Sequence, residues 1–344
     1  MAKRLVDPNH LCMGCMVEFD KKIEVCPLCG FDLAKYQSQC QKNALPVYEI
    51  LNGKYLIGRV IGIGGFGITY IGWDFYQSKK VCIKEYFPRS VAVRNPDAVS
   101  YAEQISVSVQ YSMLMQTQTI ARAKQAYTSG LEAYIKEAES LSKFYLMPGI
   151  VSVRDFFYGN NTAYIVMEYI DGIDMKKYAQ NMGGRLAPNI VFAVLRDVLK
   201  ALHEVHKANI IHRDISPDNI MLTRNGEAKL IDFGAAKNFE KSENAPVLLK
   251  HGYAPPEQYD KNGRQGPWTD VYSICASIYY LLTGIRIPEA KERQKNDTVQ
   301  WLRMLGVPIT EQVDIALRKG MMLNIADRYH SIAELYLDIY GERI

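Results

Sequence analysis

No apolar stretch in this sequence approaches the length needed to cross a bilayer: the longest, residues 273–282, falls well short of the roughly 20 residues a spanning helix takes. It reads instead as a buried core helix. Neither sign of charge is in excess, because 41 Lys+Arg stand against 37 Asp+Glu for a net of +4, and no run of like charges occurs. Nucleic acid and anionic membranes are therefore not indicated as partners. Residues 1–8 include basic side chains with no apolar segment behind them, which speaks against a conventional secretory signal. Cysteine is sparse, at seven residues. Without a secretory signal a reducing, cytoplasmic setting is expected, in which paired thiols more often hold metal than form disulfides.

What the sequence does have is core-forming material. Its 344 residues, 48 % hydrophobic and 23 % charged, exceed one ordinary domain and imply a two-lobed globular protein with an appendage.

The appendage is residues 1–42. Cys12-Met13-Gly14-Cys15 and Cys26-Pro27-Leu28-Cys29-Gly30 are two CxxC turns that supply four thiolates, with Gly14 and Gly30 relieving the tight backbone. Two such turns facing one another make a closed tetrahedral site for Zn²⁺, although the gap between the pairs is shorter than usual. No secretory context favours a disulfide reading and no βαβ pattern favours a redox one. So small a module buries too little apolar surface to fold unaided, which makes metal binding its folding energy. Cys40 lies outside the pattern.

Residues 43–53, polar and containing Pro46, read as a linker. Alternating patterns near Leu56 to Val60, Thr69 to Trp73 and Lys80 to Ile83 predict antiparallel strands. Residues 88–130 read as an insertion, irregular around Pro88 and Pro96 and with a helix predicted over 112–127; no function is assigned to it.

The chemistry lies in a series of short motifs. Gly62-Ile63-Gly64-Gly65-Phe66-Gly67 is weak evidence alone, because dinucleotide folds use the same glycines to approach phosphate. Here, however, strands flank it on both sides, and the strand-like Val81-Cys82-Ile83-Lys84 follows. His212-Arg213-Asp214 with Asn219, and then Asp232-Phe233-Gly234, complete a phosphoryl-transfer set.

Over about residues 54–340 the chain resembles the eukaryotic-type (Hanks-type) serine/threonine protein kinases of bacteria, and residues 1–42 resemble short bacterial zinc ribbons. The resemblance rests on the motifs above and on HRDISPDN, IKEYFP and GYAPPEQY. It implies an α+β, two-lobed kinase fold, with a β-rich N-lobe over about 54–168 and a helical C-lobe over about 171–340. It also implies transfer of the γ-phosphate of ATP, with Mg²⁺ (or Mn²⁺), to Ser/Thr hydroxyls of protein substrates. Zinc ribbons serve as interaction platforms or nucleic-acid contacts; with Lys21, Lys22 and Lys35 the only basic residues near the turns, a protein partner is the expected one.

Carried over residue by residue, the resemblance places Gly62, Gly64, Gly65 and Gly67 over the triphosphate with Phe66 at the tip, and Lys84 on the α- and β-phosphates. Glu137 would pair with Lys84, in preference to Glu132 and Glu139. Met167 would be the gatekeeper, Glu168 to Ile170 would offer backbone groups to adenine, and Thr69, Cys82 and Met221 would sandwich the ring. Asp214 would orient the acceptor hydroxyl, Asn219 and Asp232 would hold the metal, and Glu257, Arg328 and Asp270 would serve as scaffolding. The activation segment and its closing Pro256-Glu257 favour a protein kinase over a small-molecule one.

One departure stands out. Ser216 occupies the position where Ser/Thr kinases usually carry lysine, and Lys250 the position where they carry threonine. Lys250 is expected to supply the missing ammonium with Ser216 as its hydrogen-bond partner; the alternative is a solvated lysine. Arg213 before the catalytic aspartate points to ordering by a phosphate on Ser242, unless Glu240 or Glu243 provides a permanent carboxylate.

Overall fold

The computed structural model describes residues 6–39, 42–110, 120–233, 237–238, 249–260 and 262–344. It divides into two compact units: residues 1–145 with 152–169, and residues 146–151 with 170–344.

In the first unit the cysteine turns precede α1 (Leu33–Ser38), which is capped by Asp32. Next come β1 (Ile50–Leu51), β2 (Tyr55–Ile63), β3 (Gly67–Asp74) and β4 (Lys79–Tyr86). Residues 43–53, read as a linker, are bonded to the sheet: β1 pairs with β2, and Tyr48 N–H donates to the Ile57 carbonyl at 2.9 Å. Over residues 88–110 the insertion is more regular than its prolines implied. β5 (Ala92–Val93) pairs with β6 (Ser108–Val109), and α2 (Tyr101–Ile105) lies between them, capped by Ser100.

Arg94 anchors this segment. Buried, it pairs with the buried Glu85 of β4 and donates to the carbonyls of Ile105, at 2.7 Å, and Asn43. Of the helix predicted over 112–127, the described part belongs to the start of α3 (Ile120–Ser142), the long helix that also carries Glu137. β7 (Val153–Gly159) and β8 (Thr162–Glu168) complete a six-stranded antiparallel sheet in the order β1-β2-β3-β4-β8-β7.

Strand periodicity sets the chemistry of β4. Val81, Ile83 and Glu85 are buried on one face, while Cys82 and Lys84 alternate onto the other. In register, Thr69 lies opposite Lys84, and Ile71 and Met167 lie opposite Cys82. Residues paired across a ladder share a face, so Thr69, Ile71, Cys82, Lys84 and Met167 all occupy one side of the sheet.

The second unit opens with β9 (Gly172–Asp174), α4 (Met175–Asn181) and α5 (Pro188–Lys207), the last starting with proline at a position whose N–H needs no partner. β10 (Ile210–Ile211), β11 (Ile220–Thr223), β12 (Ala228–Leu230) and β13 (Lys237–Asn238) follow. β9 and β12 flank β11, and β13 pairs with β10. α6 (Pro256–Tyr259), α7 (Pro267–Thr283), α8 (Ala290–Lys295), α9 (Glu311–Gly320) and α10 (Ile332–Tyr340) complete it. α7 contains the longest apolar run and is buried almost all round, as a helix without a polar face must be. It ends at Gly284, whose φ of +74° suits a residue without Cβ. Among the described residues no helix is long and apolar enough to cross a membrane.

Candidate catalytic site

In the first unit the glycine-rich turn joins β2 to β3. Gly64 N–H donates to the Gly67 carbonyl at 2.9 Å, while the chain leaving β4 bonds the tip: Phe87 N–H to the Phe66 carbonyl at 2.8 Å, and Arg89 N–H to the Gly65 carbonyl at 3.1 Å. A Cβ at Gly67 would lie 2.5 Å from the Glu85 carbonyl oxygen, so this close approach needs glycine. At Gly65 a Cβ would meet no described atom within 4 Å, so no close contact demands glycine there.

α3 is registered on β4 by Tyr134, whose hydroxyl donates to the Lys84 carbonyl at 3.0 Å. Tyr86 packs against both Tyr127 and Tyr134, with ring centroids 5.3 and 5.4 Å apart. Glu137 follows Tyr134 by three residues on the same helix face and is half-buried, whereas Glu132 and Glu139 are exposed. Glu168 closes β8, where its Oε1 accepts from Ser152 N–H at 2.8 Å.

The second unit brings together the other half of the set. Ile170 stands two residues before β9, and Met221 on β11 lies opposite Asp174 in register. The β11–β12 hairpin pairs Ile220 with Leu230, and Ile231 N–H donates to the Asn219 carbonyl at 2.8 Å, so Asn219 and Asp232 flank the open end of one hairpin.

Asn219 Nδ2 donates to both the Asp214 carbonyl, at 2.7 Å, and Asp214 Oδ2, at 2.8 Å. Two acceptors fix the amide orientation and leave Asn219 Oδ1 as the oxygen suited to a cation. Burial raises the Asp214 carboxyl above its ordinary value; Lys250 and His212 pull it down, and Asp232 adds to the rise.

His212 is itself buried. Its Nε2–H donates to the Ile231 carbonyl at 3.0 Å, and its Nδ1 accepts from Asp214 N–H at 3.3 Å. Burial lowers its pKa, which matches the neutral ring this bonding requires. Phe233 packs on it with ring centroids 4.3 Å apart.

Beneath the loop, Asp270 accepts from the amides of His212 and Arg213 at 2.7 and 2.8 Å, and His206 Nε2 lies 2.8 Å from its Oδ2. Burial would raise this carboxyl, but the bonds from His206 and the Arg213 amide hold it below its ordinary value. Arg213 (φ +71°) and Asp232 (φ +64°) both adopt the left-handed conformation that non-glycine residues seldom enter. Arg328 Nη1 lies 2.7 Å from Glu257 Oε1, with both side chains buried, and Thr269 Oγ1 donates to the same carboxylate at 3.1 Å.

The expected partner of Lys250 is corrected. Ser216 Oγ is buried with no hydrogen-bond partner among the described residues, and Lys250 Nζ lies 3.5 Å from Asp218 Oδ2. A serine side chain is short and, in this loop, faces inward, whereas Asp218 reaches the ammonium. Sequence reasoning missed Asp218 and Lys176, which lies 3.1 Å from Asp218 Oδ1; the carboxylate next to Asn219 was the available signal. Ser242, Glu240, Glu243, Gly234 and Cys40 lie outside the described residues.

At the N-terminus, Cys12, Cys15, Cys26 and Cys29 bring their Sγ atoms within 4.8 Å of one another. Cys12–Cys29 at 3.7 Å and Cys15–Cys26 at 3.9 Å are too far apart for disulfides but match the S···S edge of about 3.8 Å in a tetrahedron with Zn–S near 2.3 Å. Burial raises the Cys12 and Cys15 thiols, whereas at Cys26 the N–H groups of Cys29 and Leu28 outweigh burial and bring the thiol down to about 7. The cluster fits zinc.

Comparison with known proteins bears on the family and the fold. The protein kinase domain family matches residues 108–320. The chain is 28 % identical over 312 residues to serine/threonine-protein kinase F of Synechocystis, covering 89 % of this chain and 58 % of the relative. It is 29 % identical over 241 residues to serine/threonine-protein kinase PrkC of Bacillus subtilis, covering 69 % and 31 %. The chain thus spans only part of the length of these relatives. A solved structure, "PpkA-294 apo form", superposes with a TM-score of 0.70 at 28 % identity, covering 86 % of this chain and 99 % of that one.

Proposed function

The chain belongs to the protein kinase domain family, and from that premise we propose that it transfers the γ-phosphate of ATP to serine and threonine hydroxyls of protein substrates, its own chain included. The observation that carries the reading is the Asp214–Asn219 pair at 2.8 Å beside Asp232. A carboxylate base and two oxygen ligands for a hard cation stand together on one loop and one hairpin.

Each residue has a separate task. Lys84 donates to the α- and β-phosphates, and Glu137 orients its ammonium. Asp214 aligns the acceptor hydroxyl and takes its proton, held in place by Asn219. Asn219 Oδ1 and Asp232 would hold Mg²⁺, which when bound neutralises charge on the phosphates. Lys250, steadied by Asp218, presents an ammonium to the transferred phosphate in place of the lysine replaced by Ser216. Thr69, Cys82 and Met167 share the sheet face that would contact adenine, together with Met221 and the backbone of residues 168–170.

We assign residues 1–42 to the zinc module, 43–53 to the connection and 54–340 to the kinase domain. A cytoplasmic location suits the six described cysteines, all of them unbridged. Ser242 is the autophosphorylation site we expect Arg213 to read.

Incubation with MgATP beside Asp214→Asn, with phosphosites mapped by mass spectrometry, tests the proposal. Phosphoserine or phosphothreonine in the wild type alone supports it. Nucleotide binding with no phosphate transferred to protein would point to a scaffold or a small-molecule kinase.

A further inference from the structure

The strand that leads into the glycine-rich turn is stitched to the metal module. Arg59 N–H donates to the Met13 carbonyl at 2.8 Å and Arg59 Nε to the Gly14 carbonyl at 2.9 Å, while Val60 N–H donates to Tyr36 Oη at 2.8 Å. Met13 and Gly14 are the two residues between Cys12 and Cys15, so the acceptors belong to the metal-binding turn itself.

The fit is close. A Cβ at Gly58 would lie 2.2 Å from Met16 Cε and 2.6 Å from the Met13 carbonyl, so β2 admits the turn only because residue 58 has no side chain. At the same place the register of β2 on β3 is broken, between Ile57 and Val60 and again between Val60 and Gly62. β3 holds this stretch incompletely, and the cysteine turn supplies hydrogen bonds on its other edge.

A second link runs through the sheet face. Leu11, Met13 and Met16 form a buried core with Leu56 and Ile71, against which Trp73 and Tyr169 pack. Ile71 lies opposite Cys82 in register, on the same face as Thr69 and Lys84. The apolar core of the metal module and the residues assigned to the nucleotide are thus neighbours on the same strands.

We propose that the metal-loaded four-cysteine module is a positioning device for the nucleotide, with Arg59 as the positioning residue that passes its geometry to the glycine-rich turn. The inference rests on the kinase reading for the identity of the nucleotide. A module this small folds on its metal. Removing the metal therefore withdraws both acceptors from Arg59 and frees Met16 from Gly58, and β2 loses its support just before Gly62.

The test uses the full chain in three forms: zinc-loaded wild type, chelator-stripped wild type and zinc-loaded Arg59→Ala, with metal content and melting temperature measured for each. Amide hydrogen exchange over residues 58–67 and MgATP affinity by calorimetry are the readouts. Stripping is expected to speed exchange at Arg59 and Val60 and to weaken MgATP binding about tenfold. Arg59→Ala, still holding zinc, is expected to raise the KM for ATP several-fold with kcat nearly unchanged, a split that general destabilisation does not produce.

If stripping unfolds the first unit, Arg59→Ala decides alone. Unchanged exchange over 58–67 together with unchanged MgATP affinity in that variant would overturn the inference. Wild type that binds MgATP but transfers no phosphate would overturn the kinase reading instead, since exchange and affinity report the coupling directly.

Discussion

Lys250 Nζ lies 3.5 Å from Asp218 Oδ2, and Lys176 Nζ lies 3.1 Å from the other oxygen of the same carboxylate. Asp218 therefore anchors two ammonium groups immediately before Asn219, on the loop that carries Asp214. Lys250→Ala is expected to lower kcat on the order of 100-fold, the usual cost of losing a transition-state charge donor. Full turnover in the variant would remove Lys250 from the reaction.

The acid limb of the pH–rate profile should report Asp214. In the proposed reaction its carboxylate is the working form; burial raises its pKa above the ordinary 3.8, so activity is expected to be lost as pH falls through that raised value. Lys250 opposes the rise. In Lys250→Gln the residual activity should fail at a higher pH than in the wild type; a limb that stays in place would break the link between the two groups.

Three glutamates on α3 can be told apart. Glu137→Gln is expected to cut kcat at least about tenfold, because the proposed pairing gives Lys84 its orienting carboxylate there. Glu132→Gln and Glu139→Gln change exposed positions and should leave turnover nearly intact. Equal effects across the three would discard the assignment.

Cys82 is half-buried on β4 opposite Met167. Alkylation of the intact protein, followed by peptide mapping, should show MgATP slowing modification of Cys82 and leaving the fully buried Cys275 as unreactive as before. If the nucleotide does not change the rate at Cys82, that residue lies away from the base.

Glu257 and Arg328 are both buried, so Glu257→Gln strands a guanidinium without its counter-charge. A loss of about 3–5 kcal/mol is expected for breaking such a pair, read as a lowered thermal midpoint. A midpoint close to that of the wild type would mean that the Trp268, Met322 and Leu323 carbonyls, which also accept from Arg328, suffice to hold it.

Much of the candidate site is legible because its geometry is local. Alternation along β4 puts Cys82 and Lys84 on one face whatever surrounds them, and a tight hairpin brings Asn219 and Asp232 to one end. Each CxxC turn likewise sets its own pair of thiols from local backbone geometry, while the facing of the two turns is a tertiary contact. The insertion was read less well. Pro88 and Pro96 signal irregular chain, yet over residues 88–110 the strand pair β5–β6 and α2 are held by Arg94 reaching the buried Glu85, a contact no local pattern encodes.

The sequence by itself determined the kinase motifs, the four-cysteine site and the buried helix α7, since each depends on spacing, strand period or an unbroken apolar run. The tertiary structure alone decided that Asp218, not Ser216, holds Lys250, and that the cysteine turn rests on Arg59 and Gly58. Those choices join residues far apart in the chain, and what selects them is which side chain has the reach and which backbone groups are left without partners once the strands have paired.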